Sequence, residues 1–322
     1  MAGCTLLLAA CSGSPAASPS QLAQIAWVAT DASVTLPGSA ITPVDLPTRT
    51  VEAPVTVGSL PSAMAFTSGN HQLLVVTQGD DTLHEVDPTT RAVEHSATVG
   101  EEPDAIAVAP GGTGGAGLAL VANQVSSTVT PVDLGTWRAG SPIAVGKEPA
   151  AIAVTTTAGV PTALVVDFGS NDVTPINLHT MQAEAPIAVG TGPQTIGVAP
   201  GEALVGNFTT RSLTPISTAT LHAGTAVALP VNPTGIVVTP SGTTAYISGG
   251  SALVPVTVNG LAVGAPITLP DVAQAVALDP NGATAWVALQ AGDLVGVTLA
   301  SGTVGKPIRL GGHPSAVVIA GG

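Results

Sequence analysis

The chain has 322 residues, of which 45% are hydrophobic and only 8% charged, and its mean hydropathy is +0.50. So much apolar content with so little charge excludes a disordered chain. Seven Lys/Arg against twenty Asp/Glu, a net charge of −13, is the wrong sign for holding phosphate backbones, so no nucleic-acid partner is expected.

The first ten residues, Met1 to Ala10, form a short apolar run ending in small residues, and are expected to be a signal peptide. Leu8-Ala9-Ala10-Cys11 resembles the bacterial lipobox, whose cysteine takes a diacylglycerol thioether and becomes the mature N-terminus. The resemblance implies a membrane partner through the lipid on Cys11, with residues 11–23 as lipidated cysteine and flexible tether, and an extracytoplasmic, cell-envelope location. Cys4 and Cys11 are the only cysteines, so the body carries neither a disulfide framework nor a cysteine-based site. Beyond residue 15, Pro, Gly, Thr or Asn interrupts every apolar stretch before it reaches the roughly twenty residues of a spanning helix. The hydropathy comes instead from short Val/Ala/Ile/Leu runs bounded by turn residues, which read as buried strands.

The phrase Pro-x-x-Ile-x-Val-x-Pro recurs at Pro103, Pro193 and Pro233, with looser copies starting at Pro61, Pro149, Ala273 and Pro314. Their spacings are 42, 46, 44, 40, 40 and 41 residues. Within a unit the order is constant: a first run such as Ala105–Ala109, a Gly-rich turn, a second run Leu118–Asn123, a polar loop, a third run Thr128–Asp133, a turn at Leu134-Gly135-Thr136, and a fourth run Pro142–Gly146. Four short strands per period of 40–45 residues is the signature of a propeller blade. The last copy supplies only a first strand, Pro314–Ala320; the missing three are read as Ile25–Thr30, Ala40–Asp45 and Ala53–Gly58. The expectation is an all-β, seven-bladed β-propeller over residues 24–322, closed by a composite blade from both termini. Proline stands in the third run at Pro43, Pro131, Pro175, Pro215 and Pro255, where it reads first as a tolerated idiosyncrasy of the repeat, with a local bulge or poor pairing with the outer fourth strand as alternatives. Trp27, Tyr246 and Trp286 fall at corresponding second-strand positions and are expected in the core.

Leu120-Val121-Ala122-Asn123, Thr128-Val129-Thr130-Pro131-Val132-Asp133, Thr136 and Val145-Gly146 resemble the repeat of the YVTN β-propellers of bacterial envelopes, and the resemblance covers residues 24–322. It implies the fold, a WD40-like blade, and an envelope location. It leaves function open, since one fold hosts many sites.

Chemistry is sparsely marked. There is no His-x-x-x-His, no nucleophile elbow and no phosphate-binding loop. Asp45, Asp87 and Asp133 precede Thr48, Thr90 and Thr136 by three residues, a turn-capping pattern. The loops joining strands two to three, and four to the next blade, share one face of a propeller. They hold eleven acids (Asp31, Asp80, Asp81, Glu101, Glu102, Asp104, Glu148, Asp167, Asp172, Asp271 and Asp293) against Lys147 and Arg211. Acids are densest on the early blades, making Asp80, Asp81, Glu101, Glu102, Asp104, Glu148, Asp167 and Asp172 the candidate contact face for a ligand or envelope protein. Two uses compete: solvation of an apolar body, or binding through oxygen ligands of a hard cation such as Ca²⁺ or of a cationic partner. The sequence requires no cofactor, and the chain is expected to be a monomer and a non-enzymatic binding platform. The alternative is an enzyme of lactonase or quinoprotein type, to which related propellers are similar, with Glu101, Glu102, Glu148, Asp271 and His313 nearest the channel.

Overall fold

The computed structural model describes residues 24–31, 38–67, 72–111 and 117–320. The lipobox and tether, including Cys11, lie outside them, as do residues 112–116 of the Gly-rich turn. All regular structure among the described residues is β: seven antiparallel sheets in a ring, a seven-bladed propeller as expected. Among the described residues no helix is long and apolar enough to cross a membrane.

We number the blades I to VII along the chain. Blade I is composite. Its innermost strand is His313–Ala320, which pairs with Ile25–Asp31; Ala40–Asp45 follows, and then the outer pieces Thr50–Val51 and Val55–Thr56. The innermost strands of blades II to VII are Pro61–Phe66, Pro103–Ala109, Pro149–Thr157, Pro193–Ala199, Gly235–Val238 and Ala273–Leu278. Ring closure therefore uses backbone hydrogen bonds between the two ends of the chain, with Val28 opposite Val317.

Second strands are buried on both faces, which is why they read as unbroken apolar runs rather than alternating ones. Leu118–Asn123 is buried at all but its first position, and the same holds for Thr284–Leu289. Each of seven apolar clusters bridges one pair of adjacent blades: Leu120 and Ala122 of blade III meet Ile152 and Val165 of blade IV, and Ala26 and Val28 of blade I meet Trp286 and Ala288 of blade VII. Seven aromatics are too few to fill seven interfaces, so β-branched and small side chains pack them. Trp27, Tyr246 and Trp286 all lie in these interfaces.

The third-strand prolines have a geometric explanation. Pro131 keeps register with Leu120 on the second strand, so no bulge forms there. Its carbonyl faces outward and accepts the Gly140 N–H at 2.7 Å. In an antiparallel pair a residue's N–H and C=O point to the same neighbour, so the missing donor also faces outward and the inner ladder loses nothing. The fourth strand bends away opposite the proline, leaving two short pieces, Arg138–Ala139 and Ile143–Ala144, in place of the single run expected from Pro142 to Gly146. Pro43, Pro175, Pro215 and Pro255 repeat the arrangement with Glu52, Glu184, Gly224 and Gly264 as donors. Blade II has Glu85 at this position, and its fourth strand is the single run Val93–Thr98.

Candidate functional site

The channel mouth is built by a repeated irregularity. In six blades the inner strand slips register after its first residue (in blade I its second), so one residue has no partner on the second strand: Ser315, Ser62, Asp104, Ala150, Gln194 and Gln274. Thr234 takes the matching place in blade VI, just before its inner strand. A bulge re-aims a side chain, and all seven of these residues line one cavity of about 590 Å³, together with Gln290, His313 and Pro314. Several of the hydroxyls also tie blades together: Ser315 Oγ donates to the Pro61 carbonyl at 2.9 Å, and Ser62 Oγ to the Pro103 carbonyl at 2.7 Å.

Among the described residues, Asp104 is the only carboxylate lining this cavity, and no Lys or Arg lines it. It accepts a hydrogen bond from Gln78 Nε2 at 3.1 Å. Burial, with Glu102 nearby, pushes its carboxyl up to about 6. His313 Nδ1 lies 3.1 Å from the Gln290 carbonyl, so that nitrogen carries the proton if the contact is a hydrogen bond.

The remaining acids of the expected contact face divide into three groups. Glu101, Glu102 and Glu148 are exposed in the loops leading into the inner strands. Glu102 and Glu148 hold left-handed backbone, φ 49° and 53°, and the Asp81 carboxylate accepts the Glu102 N–H at 2.9 Å. Asp80 is engaged by the Ser59 N–H and the Thr77 hydroxyl. Asp167 and Asp172 face each other across two strands of blade IV. Asp167 is fully buried, accepting the Thr174 hydroxyl at 2.6 Å, and so offers no surface to a ligand. The eight acids thus do not converge: only Asp104 reaches the channel cavity. Of the residues read as nearest the channel for an enzyme, His313 lines the cavity and Glu101, Glu102, Glu148 and Asp271 do not.

Asp167 occupies the place of Asn123 and Asn207 in neighbouring blades, at the end of the second strand. The asparagines donate to Thr130 and Thr214, and Asn123 also accepts the Gly100 N–H at 3.1 Å. A Cβ on Gly100 would sit 2.7 Å from Asn123, and one on Gly146 would sit 2.6 Å from Asp167, so the Val-Gly ending is a close-approach requirement. Burial pushes the Asp167 carboxyl up to about 7; the Thr174 hydroxyl opposes the shift and the charge of Asp172 adds to it. The capping aspartates behave as expected: Asp45, Asp87 and Asp133 accept the Thr48, Thr90 and Thr136 N–H groups, and these bonds, with the Thr136 hydroxyl leading at Asp133, hold their carboxyls below the usual range.

One group has no sequence signal of its own. Glu85 and His95 are directly opposite on adjacent strands of blade II, with Glu94 beside them. The readable hint is compositional: blade II's third strand is Thr-Leu-His-Glu-Val where blade III has Thr-Val-Thr-Pro-Val.

No protein-family model matches the sequence, and no curated protein does. Among solved structures, the chain is similar to a functionally unknown protein from Desulfotomaculum acetoxidans (17% identity, TM-score 0.77, covering 92% of this chain and 98% of that one). It is also similar to a protein described as a 6-phosphogluconolactonase by inference, from Bacteroides uniformis (15%, 0.72, 92% and 99%). Hydrazine synthase of Kuenenia stuttgartiensis is similar too (18%, 0.71, 80% and 88%). The likeness is one of fold.

Proposed function

We propose that the chain is a lipid-anchored envelope propeller that binds a small, hydroxyl-bearing cationic molecule, such as an amino sugar, at the channel mouth. The observation that carries this reading is the lining. Seven blades aim one side chain each into a common cavity; six of the seven are uncharged and the seventh is Asp104. Such a pocket offers orienting hydrogen bonds to hydroxyls and a single counter-charge to an ammonium. Exposed Glu101, Glu102 and Glu148 in the flanking loops add negative potential that raises the local concentration of cations. The lipobox at Cys11 supports the anchor: a Cys11→Ser variant is expected to leave the membrane fraction, and its retention there would remove the anchor from this reading.

An enzymatic reading is favoured by one observation. Asp104 and His313 line the same cavity, and a carboxyl raised to about 6 suits a general base near neutral pH. A phosphorylated sugar acid or its lactone, the substrate class named for the Bacteroides protein, fits this pocket poorly, because no Lys or Arg among the described residues lines it and Asp104 would repel the phosphate. Ligand-observed NMR across matched amino, neutral and phosphorylated sugars, followed by an assay of lactone opening, separates the readings. Binding of amino sugars without turnover supports the platform; lactone opening abolished in Asp104→Asn would replace it with an enzyme.

A further inference from the structure

We propose that Glu85, Glu94 and His95 form a binding site for a divalent transition-metal ion of the zinc class, on the outer strands of blade II. One donor atom from each side chain lies within 4.8 Å of the other two. Zinc, a borderline ion, accepts both carboxylate oxygen and imidazole nitrogen, and the imidazole discriminates against Ca²⁺ and Mg²⁺. Three protein ligands leave a fourth position for water or a partner's side chain.

The second observation is the state of Glu85. At the matching third-strand position five other blades carry Pro43, Pro131, Pro175, Pro215 and Pro255, and blade VII carries Gly296, none of them able to bear a charge. Glu85 is itself only 1% exposed. Its Oε2 lies 2.5 Å from His95 Nδ1, but its Oε1 is buried with no hydrogen-bond partner. A carboxylate put into an apolar slot and left half-satisfied is strongly disfavoured. A bound cation removes that penalty by taking both the charge and the free lone pairs.

Blade II is also the blade whose strands allow the site. Glu85 itself stands where five other blades have proline, and here Val93–Thr98 is one strand that brings His95 opposite Glu85, with a register shift that leaves Glu94 between the paired His95 and Val93. His84 is not a ligand, since its ring nitrogens face Thr77 Oγ1 at 3.2 Å and Ser96 Oγ at 2.9 Å. The His95 ring is held from the far side by Trp137 of blade III, stacked at 5.3 Å between centroids and 8° between planes. His95 is half-exposed, which leaves an entry path.

The stacked indole supplies the test. Co²⁺ or Ni²⁺ bound through His95 should quench Trp137 emission, and Zn²⁺ should raise the melting temperature of the full chain and compete with the quench. His95→Ala and Glu85→Gln should each weaken Zn²⁺ binding on the order of tenfold or more. Trp137→Phe should lose the quench but retain the Zn²⁺ stabilisation. Asp104→Asn, which belongs to the channel, should leave both unchanged. If Glu85→Gln does not fold, His95→Ala decides alone. Equal Zn²⁺ affinity in wild type and His95→Ala, or no Zn²⁺ effect on wild type, would overturn the site.

Discussion

Gly264 donates its N–H to the Pro255 carbonyl at 2.8 Å, and its α-carbon lies so close to the proline ring that an added Cβ would stand 2.9 Å from Cγ. Gly140 and Gly224 meet Pro131 and Pro215 in the same way. The proline and the glycine opposite it therefore act as one unit: the ring occupies the space the outer strand vacates, and the outer strand turns away without losing its hydrogen bond.

Coupling between the two follows. Gly264→Ala should destabilise the fold by about 1–3 kcal/mol, the usual cost of overpacking. In the background Pro255→Ala the same change should cost distinctly less, because the ring it strikes is gone. Chemical denaturation of the four proteins in this cycle reads the interaction; strictly additive losses would contradict it.

Asp167 makes stability depend on pH. Its carboxyl titrates near 7 in the folded chain and near 3.8 when exposed. Between those values the folded chain holds a proton that the unfolded chain has released, so stability should fall as pH rises through that window. Asp167→Asn should remove the slope and be more stable than wild type by about 1–3 kcal/mol at pH ~8, since Asn123 and Asn207 already fill the equivalent site. Urea midpoints for both proteins across pH check this.

The inter-blade hydroxyl bonds should be individually modest. Ser315→Ala loses the bond to the Pro61 carbonyl at the junction of blades I and II, and should cost about 1 kcal/mol. Hydrogen exchange should rise in Pro61–Phe66 and His313–Ala320, with little change in blade V.

Protonation of Asp104 should govern the channel. With its carboxyl raised to about 6, affinity for a cationic ligand should strengthen as pH rises from about 5 to about 7 and then level off. Asp104→Asn should bind more weakly and show no such rise.

The fold was legible because a blade repeats its turn residues and apolar runs at fixed spacing, and the composite blade followed from which strands each terminus lacked. The split fourth strands were not legible. In blade III the split falls where Pro131 meets Gly140, nine positions apart, while blade VII splits likewise at Gly296 without a proline, and a two-residue strand leaves no pattern of its own. The acidic face was legible as composition, but its fate was not. Asp104 and Asp167 both occur near loop ends, and only the register slip sends one into the channel while a regular ladder buries the other. Glu85 and His95 become neighbours solely through strand pairing ten residues apart.

The most direct test of the channel-mouth claim is calorimetric titration of an amino sugar and its neutral parent sugar into wild type and Asp104→Asn at pH ~7. Wild type should prefer the amino sugar, and Asp104→Asn should lose this preference while still binding the neutral sugar. Equal preference in both proteins, or amino-sugar binding abolished only by changes outside the ring of Ser62, Asp104, Gln194, Thr234, Gln274 and Ser315, would contradict it.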